Sequence, residues 1–188
     1  MKRSSQRTDQ ELANDLRGSR REAEAAFSEL YGRYAQRTYA LLLRMTGDTA
    51  ASQDLLQEVF LKFYSAASQD LLVTNPGGFI LRVARNLCLN WKRDTKAPLS
   101  LDDLELAAAT DERLERDDLL HILNLALELL EFEYREAFVL KFYQGYSYEE
   151  MSTLTGESID ALRNRVWRAK EQVRHVLRPY IHDLVKHS

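Results

Sequence analysis

From Ile159 to Val173 the apolar residues Ile159, Leu162, Val166, Ala169 and Val173 recur at steps of three and four, the period that gathers side chains onto one stripe of an α-helix. The same period recurs along the chain. Phe27, Leu30, Tyr34 and Leu41 mark one helix, Leu55, Leu56, Val59 and Phe63 a second, and Ile80, Val83 and Leu87 a third. Further on, Leu120, Leu123, Leu127 and Leu130 mark another, and Phe138 with Phe142 sits on the next. Val-, Ile- and Thr-rich segments with period-two alternation are absent, and no internal repeat of fixed period occurs. The fold class is therefore all-α. Gly47-Asp48 and Asn75-Pro76-Gly77-Gly78 separate the first helices as turns.

A chain of 188 residues with 45% hydrophobic content has room for two small domains, each with its own core. The segment KRDTKAPLSLDDLELAAATDERLERDD breaks the periodic pattern with Pro98, Ser100 and scattered acids, a composition suited to a solvated linker. The expected organisation is an N-terminal tail (1–21), a first helical domain (22–94), an acidic flexible linker (95–115) and a second helical domain (116–188). The only cysteine is Cys88, which rules out an internal disulfide and a cysteine-based zinc site and suits a reducing cytoplasm. Cys88 lies among apolar neighbours and reads as a small core residue. No apolar core of roughly 7 to 15 residues follows the basic start, and no run of about 18 apolar residues occurs, so neither a signal peptide nor membrane insertion is expected. His121, His175, His182 and His187 are scattered without metal-site spacing. With no phosphate-cradling glycine loop, HExxH or GxSxG either, no enzyme, metal or cofactor is expected.

The net charge of −3 argues against indiscriminate coating of nucleic acid, but the charge is unevenly placed. Residues 82–96 hold five Lys or Arg against Asp94 alone, and residues 158–188 hold seven against three acids. Between them, residues 99–136 carry twelve Asp or Glu and three Arg. Two basic surfaces flank an acidic segment.

The second basic surface lies in GYSYEEMSTLTGESIDALRNRVWRAKEQVR. A helix from about Ser147 to Leu154, a turn at Thr155-Gly156-Glu157 and a helix capped by Ser158 match the helix-turn-helix plan, whose second helix turns its N-terminal residues to base edges in the major groove. Ser158, Asp160, Ala161 and Asn164 are placed to face bases, and Arg163, Arg165 and Arg168 to reach bases or phosphates. A helical hairpin with a solvated arginine face has the same pattern. In the first half, DLLQEVFLKFY sets Asp54, Gln57, Glu58 and Lys62 on the side of a helix opposite Leu55, Leu56, Val59 and Phe63, a polar face on offer to a partner. NPGGFILRVARNLCLNWKRD combines Arg82, Arg85, Asn86, Lys92 and Arg93 with Phe79 and Trp91. Stacking aromatics beside backbone-following cations hold single-stranded nucleic acid; either aromatic alone reads more readily as core.

Taken in order, DLLQEVFLKFY, FILRVARNLCLNWKRD, the acidic linker and LLEFEYREAFVLKFYQGYSYEEMSTLTGESIDALRNRVWRAKEQVR closely resemble the extracytoplasmic-function (ECF, group IV) sigma factors of the bacterial sigma-70 family, over residues 22–178. The resemblance implies two helical domains, regions 2 and 4, and a protein that binds core RNA polymerase, recognises −35 and −10 promoter elements and initiates transcription of a specific regulon. It implies a polymerase contact at Asp54, Gln57 and Glu58, and a base-capturing loop matching Ser65–Gly78. It implies a strand-melting helix carrying Phe79, Arg82, Arg85, Asn86, Trp91 and Arg93 on single-stranded −10 DNA. Duplex −35 DNA falls to Ser158, Asp160, Ala161, Arg163, Asn164, Arg165 and Arg168. An anti-sigma factor is the expected regulatory partner. Phe79 stands where the family commonly has tryptophan, and Met151-Ser152 where Ile-Ala is usual. The competing reading is a stand-alone helix-turn-helix regulator that binds duplex DNA as a dimer, which needs no cationic aromatic helix in the first half.

Overall fold

The computed structural model describes residues 7–69, 73–94 and 116–186, with side chains to residue 178 and, in the last stretch, from residue 122. The expected linker, 95–115, lies outside the described residues. Those described are helical and form no strand. They fall into two compact units divided at Trp91–Lys92, with Arg44–Gly47 grouped with the second. Among them no helix is long and apolar enough to cross a membrane.

The first unit contains α1 (Asp9–Asp15), all but the last residues of α2 (Arg20–Thr46), α3 (Thr49–Ser68) and all but the last residues of α4 (Pro76–Asp94). Helix α1 lies in the stretch read as an N-terminal tail. Thr8 and Glu11 form a reciprocal capping box at its start, which satisfies two orphan N–H groups, and Leu12, Ala13 and Leu16 are buried. Asp9 accepts from the Tyr34 hydroxyl and pairs with Arg33 at 2.5 Å, fixing α1 to α2. Asp48 caps α3, its carboxylate accepting from Ala51 N–H at 3.0 Å.

Asn75-Pro76-Gly77-Gly78 is not wholly a turn. Asn75 accepts from Gly78 N–H at 2.8 Å and Pro76 opens α4, where its missing N–H and fixed φ are no handicap. Gly77 serves packing, since a Cβ there would lie 2.8 Å from the Tyr34 ring. The loop between α3 and α4 is accordingly shorter than the Ser65–Gly78 span suggested by sequence. The core of this unit includes Leu30, Leu42, Val59, Phe63, Ile80, Ala84 and Cys88, all fully or nearly fully buried. Phe63 meets Phe79 of α4 at 6.1 Å between rings.

The second unit contains α5 (Arg116–Glu128), α6 (Phe132–Phe138), a π-helical turn (Val139–Tyr143), α7 (Tyr148–Thr155) and α8 (Ile159–Lys186). Leu130, expected on α5, lies just beyond its end and is buried. The Arg135 guanidinium donates to the Glu128 and Leu130 carbonyls, supplying partners that the ended helix lacks. Gln144 N–H reaches back five residues to Val139 C=O at 3.0 Å and closes the π-turn. Two clusters make the core: Ala137, Leu140, Met151, Leu162 and Val166 hold α7 against α8, and Leu127, Leu130, Ala169 and Val173 hold α5. The α8 stripe read from the sequence supplies one wall of both.

Candidate nucleic-acid interface

The helix-turn-helix begins with a second capping box, Ser147 with Glu150, at the start of α7. Gly156 ends α7 at φ 78°, the left-handed conformation that side-chain-bearing residues resist. Side chains then lace the turn. Thr155 Oγ1 donates to Met151 C=O at 2.9 Å, Ser152 Oγ donates to Glu157 C=O at 2.6 Å, and Glu157 N–H donates to Thr155 Oγ1 at 3.2 Å. Ser158 caps α8 by accepting from Ala161 N–H at 3.2 Å. The register of α8 on α7 is thereby set locally.

With Leu162, Val166, Ala169 and Val173 turned inward, the spacing of α8 decides what faces out. Asp160, Asn164 and Arg163 lie away from the stripe and are exposed, Asp160 with 93% of its side chain accessible. Arg163 is drawn toward Asp160 at 3.3 Å and lies 5.5 Å from the Tyr148 ring centroid. The Glu149 carboxyl at the N-terminus of α7 is held below the usual carboxylate range, first by its own backbone N–H and then by Ser147. Ala161 is half-buried. Arg165 lies beside the stripe and pairs with Glu157 at 3.1 Å with 25% of its side chain accessible; Arg168, exposed, follows Asn164 by one turn and donates to the Tyr134 hydroxyl at 3.3 Å. The predicted set is therefore divided between exposed Ser158, Asp160, Arg163, Asn164 and Arg168 and half-buried Ala161 and Arg165.

Helix α4 divides its residues in the same way. Phe79, Arg82, Asn86 and Arg93 recur at steps of three, four and seven on one strip; Arg82, Asn86 and Arg93 are exposed, and Phe79 is half-buried against Phe63. Arg85, half-buried, lies one turn from Arg82 on the same side. Trp91 does not join them. It falls in register with buried Ala84, Leu87 and Cys88 and is half-buried, because seven residues from Ala84 return the helix to its core side.

On α3, Asp54, Gln57 and Glu58 are all exposed on one face, with Glu58 paired to Lys62 at 3.3 Å. Two residues the sequence reading left out stand on these outward faces. Leu61, 69% exposed, lies among Asp54, Gln57 and Glu58, and Trp167, 63% exposed, lies one turn beyond Arg163 and Asn164. Both are out of phase with the apolar stripe of their helix, and that misfit was the available signal.

Residues 30–97 match the family model of Sigma-70 region 2, and residues 120–173 match that of Sigma-70, region 4. The chain is 32% identical over 163 residues to RNA polymerase sigma factor CarQ of Myxococcus xanthus, covering 82% of this chain and 91% of that one. The chain belongs to the sigma-70 family. Within the family it is an ECF sigma factor, a protein of transcription initiation. ECF RNA polymerase sigma factor SigM of Bacillus subtilis (strain 168) is similar at 26% identity, over 82% of this sigma factor and 97% of its own length. The fold also matches the sigma factor RpoE solved in complex with the anti-sigma factor NepR from Bartonella quintana, with TM-score 0.63 and 19% identity, over 81% of this sigma factor and 96% of that chain. The relatives are transcription regulators rather than enzymes.

Proposed function

We propose that this sigma factor uses its two units for separate parts of promoter recognition. The exposed polar face of α3, Asp54, Gln57 and Glu58 around Leu61, docks on core RNA polymerase. An exposed apolar side chain ringed by polar groups, covered on docking, matches the apolar centre and polar rim of an interface. The α4 strip of Phe79, Arg82, Asn86 and Arg93, with Arg85 beside it, opens and holds the −10 strand. Flipping a base costs a few kcal/mol of unstacking, which cation and aromatic contacts to the freed strand offset. Outward Arg163 and Asn164 of α8 read the −35 duplex, while Arg168 follows phosphates and Arg165 braces the turn through Glu157. Residues 22–94 thus serve as region 2 and 116–188 as region 4, with 95–115 as the link.

The observation that carries this reading is the basic strip on α4, of which Phe79, Arg82, Arg85 and Asn86 lie in a unit separate from the helix-turn-helix. A duplex-binding regulator has no use for it. The protein acts in the cytoplasm, where its DNA lies, as a regulator and not an enzyme. An anti-sigma factor keeps it inactive; the complex of RpoE with NepR is the supporting case. Permanganate footprinting of promoter complexes tests the strand-melting role. Phe79→Ala with Arg85→Ala should abolish reactivity of the −10 thymines while leaving polymerase binding intact, and unchanged opening by this variant would remove the role from α4.

A further inference from the structure

Trp167 is 63% exposed, and among the described residues it has no ring or cation partner, although Tyr148, Phe138 and Tyr143 in the same unit all do. An exposed indole forgoes one of the largest apolar burials a side chain can make. Its place on α8 says what buries it. Trp167 follows Arg163 by four residues and Asn164 by three, on the side away from Leu162, Val166, Ala169 and Val173. The neighbouring surface carries exposed Arg163, Lys170 and Arg174 against Asp160 and Glu171, which pair with Arg163 and Arg174; it is net cationic, which suits an anionic partner surface. In the major groove of duplex DNA the thymine C5-methyl is the apolar group on the base edges.

We propose that Trp167 is a specificity-determining residue that packs on a thymine methyl group in the −35 element. The inference rests on the reading of α8 as the −35 helix. Three residues of α-helix advance about 4.5 Å along the axis, and successive base pairs lie about 3.4 Å apart. The thymine therefore belongs within one or two steps of the base pair that Asn164 faces. Asn164 and Arg163 supply hydrogen bonds to that edge; Trp167 supplies shape and excludes water from the methyl.

The test uses holoenzyme reconstituted from core polymerase and the full chain, on a promoter that it transcribes in run-off assays. Each thymine of the −35 element, on either strand, is replaced in turn by deoxyuridine, which removes only the methyl. At one position open-complex formation by the unaltered protein should fall about four-fold, the worth of one buried methylene. Trp167→Ala should weaken initiation from the natural promoter and be indifferent to that same replacement, while Trp167→Phe retains part of the response. The proposal is overturned if deoxyuridine is neutral everywhere, if Trp167→Ala responds to it as the unaltered protein does, or if Trp167→Ala weakens only polymerase or anti-sigma binding. Arg163→Ala and Asn164→Ala separate the two levels. If they abolish −35 dependence and Trp167→Ala does not, this inference alone fails; if none of the three alters −35 dependence, the assignment of α8 fails with it.

Discussion

Gly156 carries the turn between α7 and α8 at φ 78°, with open space where a Cβ would stand. Its requirement is thus purely one of backbone conformation, worth about 1–2 kcal/mol for an L-residue forced left-handed. Gly156→Ala should speed hydrogen exchange across α7 and α8 by roughly that free energy, and Gly156→Asn by less, because asparagine tolerates this conformation better. Exchange unchanged in both would show that the turn relaxes without cost. Tyr34 makes a second prediction. Burial, then the hydrogen bond to Asp9, pushes its phenol from 10.0 up to about 12. The folded state favours the neutral phenol, so this stability is complete below pH 10 and is lost as pH rises toward 12. Titration of phenolate absorbance should show one late-titrating tyrosine, missing in Tyr34→Phe; superimposable titrations, scaled for tyrosine count, would refute it. Gly156 was legible because a glycine between two periodic segments has few other uses. Tyr34 was not, because its register marks it only as apolar stripe and its partner Asp9 lies in a stretch read as a tail.

Among the elements, the inner face of α8 was the most legible: Ile159, Leu162, Val166, Ala169 and Val173 set it, whereas Trp167 on its outer face was passed over. Leu162, 1% exposed in the α7–α8 cluster, should cost about 2–5 kcal/mol when cut to alanine. Near-native thermal stability of Leu162→Ala would contradict the packing described. Helix α1 escaped the sequence reading because seven residues with few buried positions give almost no periodic signal; the capping pair Thr8 and Glu11 was its one mark. The π-turn escaped for a different reason, since a single widened turn leaves Phe138 and Phe142 adjacent, at 4.6 Å between rings, much as continued α-helix would. On α3 the polar residues were found and Leu61 was passed over, because leucine on a helix reads as core unless its phase is checked. Asp54→Ala, Gln57→Ala and Glu58→Ala together should weaken core polymerase binding at least ten-fold, on the order of 1.4 kcal/mol, without loss of helicity by circular dichroism. Equal affinity would move the docking face elsewhere.

For the whole molecule, the balance between a net charge of −3 and two basic faces decides behaviour. Each face alone offers few cations for phosphate contact, and the acidic remainder opposes long-range attraction to DNA. Two weak modules gain affinity when a third body holds both at one target, and core polymerase is the body proposed here. The free protein should therefore bind duplex promoter DNA poorly at physiological salt. The measurement that tests the account most directly is run-off transcription by bacterial core RNA polymerase, with and without this protein, from a library of promoters of its source genome. The account predicts that the protein co-purifies with the polymerase and that transcripts start only when it is present, at sites sharing −35 and −10 elements. A protein that ignores polymerase and footprints palindromic duplex DNA by itself would contradict it.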